Sequence, residues 1–244
     1  MNRLAFILLT FTLLLLMTGC GSLFNPVPKN VVMVKKIKEN DKNNEVSMPG
    51  GVLSVETTKS LGLNALGKYF DIQLSPDQVQ FEVTVVDINA LKGLVEQNIH
   101  PDERKDAEAM LKEVPEGLFY LTITSPSKER YELVLNAGTG DVLKISNQNN
   151  SNSGLKEFDL DYSNRIDKFL QEKQGLKSED IKQVEKMFSE NEDTYVYRNL
   201  KDNRLRYVIE VDIPQNKVTG FSKDIMALLT WSAKISAKVP TLHQ

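Results

Sequence analysis

Apolar and polar positions along the chain fall into two periods, one helical and one alternating, and the two recur in the same order. Val55, Leu61, Ala65, Leu66, Tyr69 and Phe70 recur at helical spacing and predict a helix with one apolar side, weakened by Gly62 and Gly67. Leu74-Ser75-Pro76-Asp77 turns the chain, and Val79, Phe81, Val83 and Val85 then alternate with Gln80, Glu82 and Thr84, as a half-buried strand does. From Ile88 to Gly117 the helical period returns twice. Ile88, Leu91 and Val95 share one face; Ala107, Met110, Leu111 and Val114 form another, with Pro101 at the first turn beside Asp102 and Glu103. Phe119 to Ile145 reads strand, polar turn, strand, tight turn, strand, with the glycines of Asn136-Ala137-Gly138-Thr139-Gly140-Asp141 placed where a tight connection needs positive φ.

A second copy of that stretch runs from Tyr195 to Phe221. At a constant offset of 76, Arg130 falls on Arg206, Tyr131 on Tyr207, Asn136 on Asp212, Gly140 on Asn216 and Val142 on Val218. Two unrelated hairpins would share composition, but not this register. Upstream, Lys168-Phe169-Leu170 matches Lys68-Tyr69-Phe70, and Leu176-Lys177-Ser178-Glu179-Asp180 echoes the first turn. The expected fold class is α+β: two tandem units, each a helix packed on an antiparallel hairpin sheet. The first covers 52–147 with a helical insertion at about 88–117, and the second covers 158–244 and ends in a helix. Asn147 to Gly154 is polar or small throughout and marks the boundary, with the linker over 148–157. In the second unit Ser178 is expected to cap a helix through Ile181, Val184 and Phe188, where the first unit has a strand.

The N-terminal end reads differently. Arg3 is followed by an almost wholly apolar run from Leu4 to Met17, short for a membrane span of ~20 residues and suited to a signal peptide. Met17-Thr18-Gly19-Cys20 resembles the bacterial lipobox, which implies a lipoprotein signal peptide over 1–19 and a diacylglycerol-modified Cys20. Cys20 is the sole cysteine of the 244 residues, so no intrachain disulfide can form. Residues 20–51 read as a tether, with Pro26, Pro28 and the polar run Glu39 to Asn44, interrupted by Val31-Val32-Met33-Val34. The expected location is the extracytoplasmic face of the cell membrane.

Charge and motifs narrow the function. The chain has 30 basic and 33 acidic residues; loss of Arg3 with the leader leaves a net charge of −4. Interspersed signs leave no footprint for nucleic acid. His100 and His243 are the two histidines, and no G-x-S-x-G elbow accompanies them. Asp159-x-Asp161-x-Ser163 starts like a calcium loop but lacks its glycine and its final glutamate, and reads instead as a helix N-terminus. Glu190, Glu192 and Asp193 read as a solvated face. No catalytic residue, cofactor or metal ligand is expected.

A helix followed by an antiparallel hairpin whose turn reads Asn136-Ala137-Gly138-Thr139-Gly140-Asp141-Val142 resembles the PepSY-like family. The second copy departs further, with Pro214 and Asn216 in place of the small-glycine pattern. The resemblance implies a binding or regulatory module, often one restraining a peptidase. Cystatin-like and nuclear-transport-factor-like folds share the helix-on-sheet plan.

Three readings follow. The chain is a surface-tethered, non-catalytic module for an envelope protein, or a carrier of a small apolar ligand between helix and sheet, or a hydrolase with a cryptic acid/base pair; the absence of motifs favours the first. Trp231, Tyr131 and Tyr207 are the candidate partner contacts. For Trp231 two accounts compete. The C-terminal helix, with Ile225, Met226, Leu228, Leu229 and Ile235, has an apolar arc about twice the ~100° needed for one core. Either it wedges into the body, or Trp231 is presented to a partner.

Overall fold

The computed structural model describes residues 51–148, 163–189 and 192–238. The leader, Cys20, the tether and most of the 148–157 linker lie outside the described residues. Helix α1 (Val55–Phe70) starts where Ser54 Oγ accepts from Thr57 N at 3.1 Å and stops at Asp71, whose left-handed φ of 59° lets its N–H reach Leu66 O. Strand β1 (Gln80–Val86) leads into the insertion, α2 (Ile88–Asn98) and α3 (Arg104–Leu111), then β2 (Leu118–Thr124), β3 (Arg130–Asn136) and β4 (Val142–Asn147). The second half supplies α4 (Ser163–Gln174), β5 (Ile181–Phe188), β6 (Glu192–Asn199), β7 (Leu205–Asp212), β8 (Lys217–Lys223) and α5 (Ile225–Lys238).

All eight strands form one antiparallel sheet in the order β1-β2-β3-β4-β8-β7-β6-β5. The expectation of two separate sheets is therefore modified. β4 and β8, which would each have been an exposed edge, pair with each other through Lys144–Ser222, Ile145–Phe221 and Ser146–Gly220. That pairing satisfies backbone groups that two separate bodies would leave open. The halves also share their cores. On one face Tyr69 of α1 and Phe169 of α4 both pack on Phe221, with ring centroids 4.8 and 5.8 Å away, above Leu121, Leu133 and Ile145. On the other face α2, α3 and α5 cover Val86, Leu118, Val134, Val196 and Val208.

The two tight turns match residue for residue. Asn136 Oδ1 accepts from Thr139 N at 3.2 Å, and Asp212 Oδ1 accepts from the equivalent Gln215 N at 2.7 Å. The position needing positive φ is Gly140 (78°) in one and Asn216 (51°) in the other. Both hairpins carry a bulge at the equivalent place, between Val134 and Leu135 and between Glu210 and Val211.

Two local expectations are corrected. The segment through Ile181, Val184 and Phe188 is strand β5, not a capped helix. It lies at the rim of the sheet with few buried positions, so the alternation of a strand is absent and the apolar spacing mimics a helix. Gly62 is not simply a weak point of α1. A Cβ there would lie 2.2 Å from Leu121 Cδ2, so the glycine lets the helix press onto β2.

Candidate binding surfaces

Trp231, Tyr131 and Tyr207 are all buried, so none forms a partner surface in this fold; this corrects their assignment as contacts. Trp231 packs between α5, α2 and α3 in the back layer, as the wedge account requires. Tyr131 lies under α1, and its hydroxyl donates to Glu129 Oε2 at 2.9 Å. Burial, helped by that carboxylate, pushes its pKa up to about 12. Burial likewise pushes Tyr207 up to about 12, so both phenols stay neutral.

The polar groups with the strongest mutual contacts are structural ties. Lys234 of α5 reaches Glu192 Oε1 of β6 at 2.8 Å and Glu210 Oε1 of β7 at 2.9 Å. Burial, with Glu210 beside it, raises the pKa of Glu192 despite the lysine. Burial alone would lower Lys234, but Glu210 and Glu192 outweigh it and hold the ammonium above its usual pKa. The lysine occupies the space between the two acids, so they hold α5 to the sheet and do not open as a pair towards solvent. His100 sits exposed in the turn between α2 and α3, where its Nδ1 is 3.3 Å from Asp102 Oδ2. Among the described residues no three of His, Cys, Asp and Glu are grouped to hold a metal ion, and no helix is long and apolar enough to cross a membrane.

The exposed large apolar side chains among the described residues are Val184, Phe188, Leu200 and, on α5, Ile235. β5 is a terminal strand of the sheet, and it carries Phe188 (67% exposed) and Val184 (42%). Val184 is the extra residue of a bulge between Gln183 and Glu185. Lys186 lies over the Phe188 ring at 4.4 Å, over Tyr195 at 4.8 Å, and pairs with Asp193 Oδ2 at 3.2 Å. One side of Phe188 is thus supported by a cation and the ring is otherwise open. At the opposite rim, Phe81 of β1 is only partly exposed and Lys59 of α1 lies 5.6 Å from its ring.

No protein-family model matches the chain, and no curated protein does. Among solved structures, the chain is similar to the YpeB C-terminal domain of Bacillus megaterium. The TM-score is 0.45 at 14% identity, over 72% of this chain and 65% of that one.

Sequence reasoning missed the β5 rim because its signal is negative. Lys182, Gln183, Glu185 and Lys186 make the segment look like a polar helix face, and only placement at the end of the sheet exposes its two apolar side chains. The lysine between two acids was equally hidden: Glu192, Glu210 and Lys234 come from three elements far apart in sequence.

Proposed function

We propose that this chain is a non-catalytic binding module, built as two PepSY-like units and held to the extracytoplasmic face of the membrane through lipid on Cys20. Its partner is an envelope protein, with a peptidase as the class the PepSY resemblance implies, and it docks by adding an extended segment to β5. The observation that carries this reading is the rim itself. A terminal strand of eight residues offers about 26 Å of backbone at ~3.3 Å per residue, and Val184 and Phe188 offer side-chain contacts beside it. Strand addition draws affinity from main-chain bonds and specificity from such side chains. The bulge at Val184 and the charges of Lys182, Glu185 and Lys186 restrict pairing at the rim to a segment that complements them.

The test places a photo-crosslinking amino acid at Phe188 or Val184 in intact cells, with Lys128 in the β2–β3 turn as a control. A discrete adduct with one envelope protein at 184 and 188, absent at 128 and abolished by Lys186→Glu, is the expected result. Adducts at 128 alone, or none at 184 and 188, would overturn docking on β5.

A further inference from the structure

The hydrogen-bond ladder of β5 fixes which of its groups face outward. Ser189 N donates to Glu192 O at 3.1 Å, one step beyond the last β5–β6 pair, Phe188–Asp193. Bonded and non-bonded pairs alternate in an antiparallel ladder. Met187 and Glu185 therefore direct their backbone groups at β6, whereas the N–H and C=O of Lys186 and Phe188 point out from the rim. The bulge between Gln183 and Glu185 ends this alternation, so an incoming strand meets one continuous register only over 185–188. The side chains alternate as well. Lys186 stands across from Tyr195 on the face covered by α1 and α4, and Phe188 shares that face. Glu185 stands across from Val196, on the face covered by α2, α3 and α5. Asp193 engages the Lys186 ammonium, whereas the exposed carboxylate of Glu185 forms no ion pair among the described residues.

We propose that the segment accepted by β5 is short, runs antiparallel to it, and carries an apolar residue followed three places later by lysine or arginine. This rests on the docking mode proposed above and specifies its occupant. In an antiparallel segment, the residue facing Phe188 is followed after three places by the one facing Glu185. The first sets an apolar side chain beside the exposed ring, and the second sets a cation across from the exposed carboxylate. An acid at the second place would face a like charge, and Lys186 lies on the other face of the sheet. Parallel addition would reverse the order of the two residues and give the weaker ladder. β5 itself has no apolar residue followed at three places by a basic one, so a dimer through two β5 strands does not satisfy the spacing.

Three biotinylated peptides, irradiated with the full chain, test the spacing. The first is Ser-Thr-X-Thr-Ser-Lys-Thr-Ser, in which X is the photoreactive p-benzoylphenylalanine. The second has Glu in place of Lys, and the third is the first in reverse order. Mass spectrometry of the adducts locates the labelled strand. The first peptide should label β5 about fivefold more efficiently than either of the others, the difference set by a favourable against an unfavourable cross-strand pair. Glu185→Lys changes one exposed side chain and should invert the preference between the first and second peptides. Equal labelling of β5 by all three, or a preference that Glu185→Lys leaves unchanged, would overturn the spacing while docking on β5 stands. Labelling that avoids β5 altogether would overturn both.

Discussion

Lys234→Met asks how much the tie between α5 and the sheet contributes. The substitution keeps an unbranched apolar stem, so the loss of packing is small and the loss of charge dominates. Lys234, Glu192 and Glu210 have 25%, 31% and 12% of their side chains exposed, so the three charges are partly, not wholly, desolvated. Removing one partner of a fully buried pair costs ~3–5 kcal/mol, whereas a fully exposed pair is worth ~0–1 kcal/mol. This arrangement lies between, at about 2 kcal/mol. Urea unfolding at pH 8 should show that loss as a lower midpoint at unchanged slope.

The pH dependence gives the sign. Glu192 already has a raised pKa in the folded protein, and removal of the lysine raises it further. A carboxyl whose folded pKa exceeds its unfolded value destabilises the fold above that folded pKa, and the loss is relieved as pH falls through it. The penalty of Lys234→Met should therefore shrink between pH 8 and pH 5, and Glu210→Gln in the same background should recover much of it at pH 8. A penalty below about 0.5 kcal/mol at pH 8 would refute the reasoning, as would one that grows on acidification.

Trp231→Ala should cost about 3–5 kcal/mol in urea unfolding at unchanged slope, the penalty for emptying a large buried site, and a stable variant would return Trp231 to the surface. Gly117→Ala combines a φ of +83° with a Cβ only 2.2 Å from Val86 O, so a loss above about 2 kcal/mol is expected by thermal unfolding. Cys20→Ala should leave an uncleaved precursor or release unlipidated protein. A chain starting at Ser22 should be soluble, and its sedimentation with membranes would sink the single-anchor reading.

Much of the fold was legible where local chemistry and tertiary placement agree. The turns at Asn136–Asp141 and Pro214–Lys217 rest on side-chain caps and positive φ, both readable from residue type, and they appear where expected. The α2–α3 insertion showed its period because each helix buries one face against a flat layer. Of the wide apolar arc of the C-terminal helix, Met226 packs beside Tyr120 and Trp231 lies in the same back layer, while Ile235 on the Trp231 flank stays 43% exposed. What failed was long-range. Nothing local to Lys144–Ser146 or Gly220–Ser222 announces that β4 and β8 pair, since both read as outer strands of their own hairpins. β5 failed because a rim strand buries too little to show its period.

The pairing of β4 with β8 also relates the two halves of the chain to each other. At the sequence offset of 76, Ile145 corresponds to Phe221, and these two residues pair directly. Lys144 faces Ser222, the counterpart of Ser146, while Ser146 faces Gly220, the counterpart of Lys144. Each residue meets the other's equivalent, as in a two-fold interface between subunits, here within one chain. Such a relation would make β1 and β5 alike, both outermost. The insertion breaks the likeness. Residues 87–117 separate β1 from β2, whereas only 189–191 separate β5 from β6. The insertion also reaches across to the other half, through Glu103 to Arg198 at 2.6 Å and Asp106 to Arg204 at 3.4 Å. It therefore braces the joined sheet. The second half, with nothing inserted after β5, keeps the open rim.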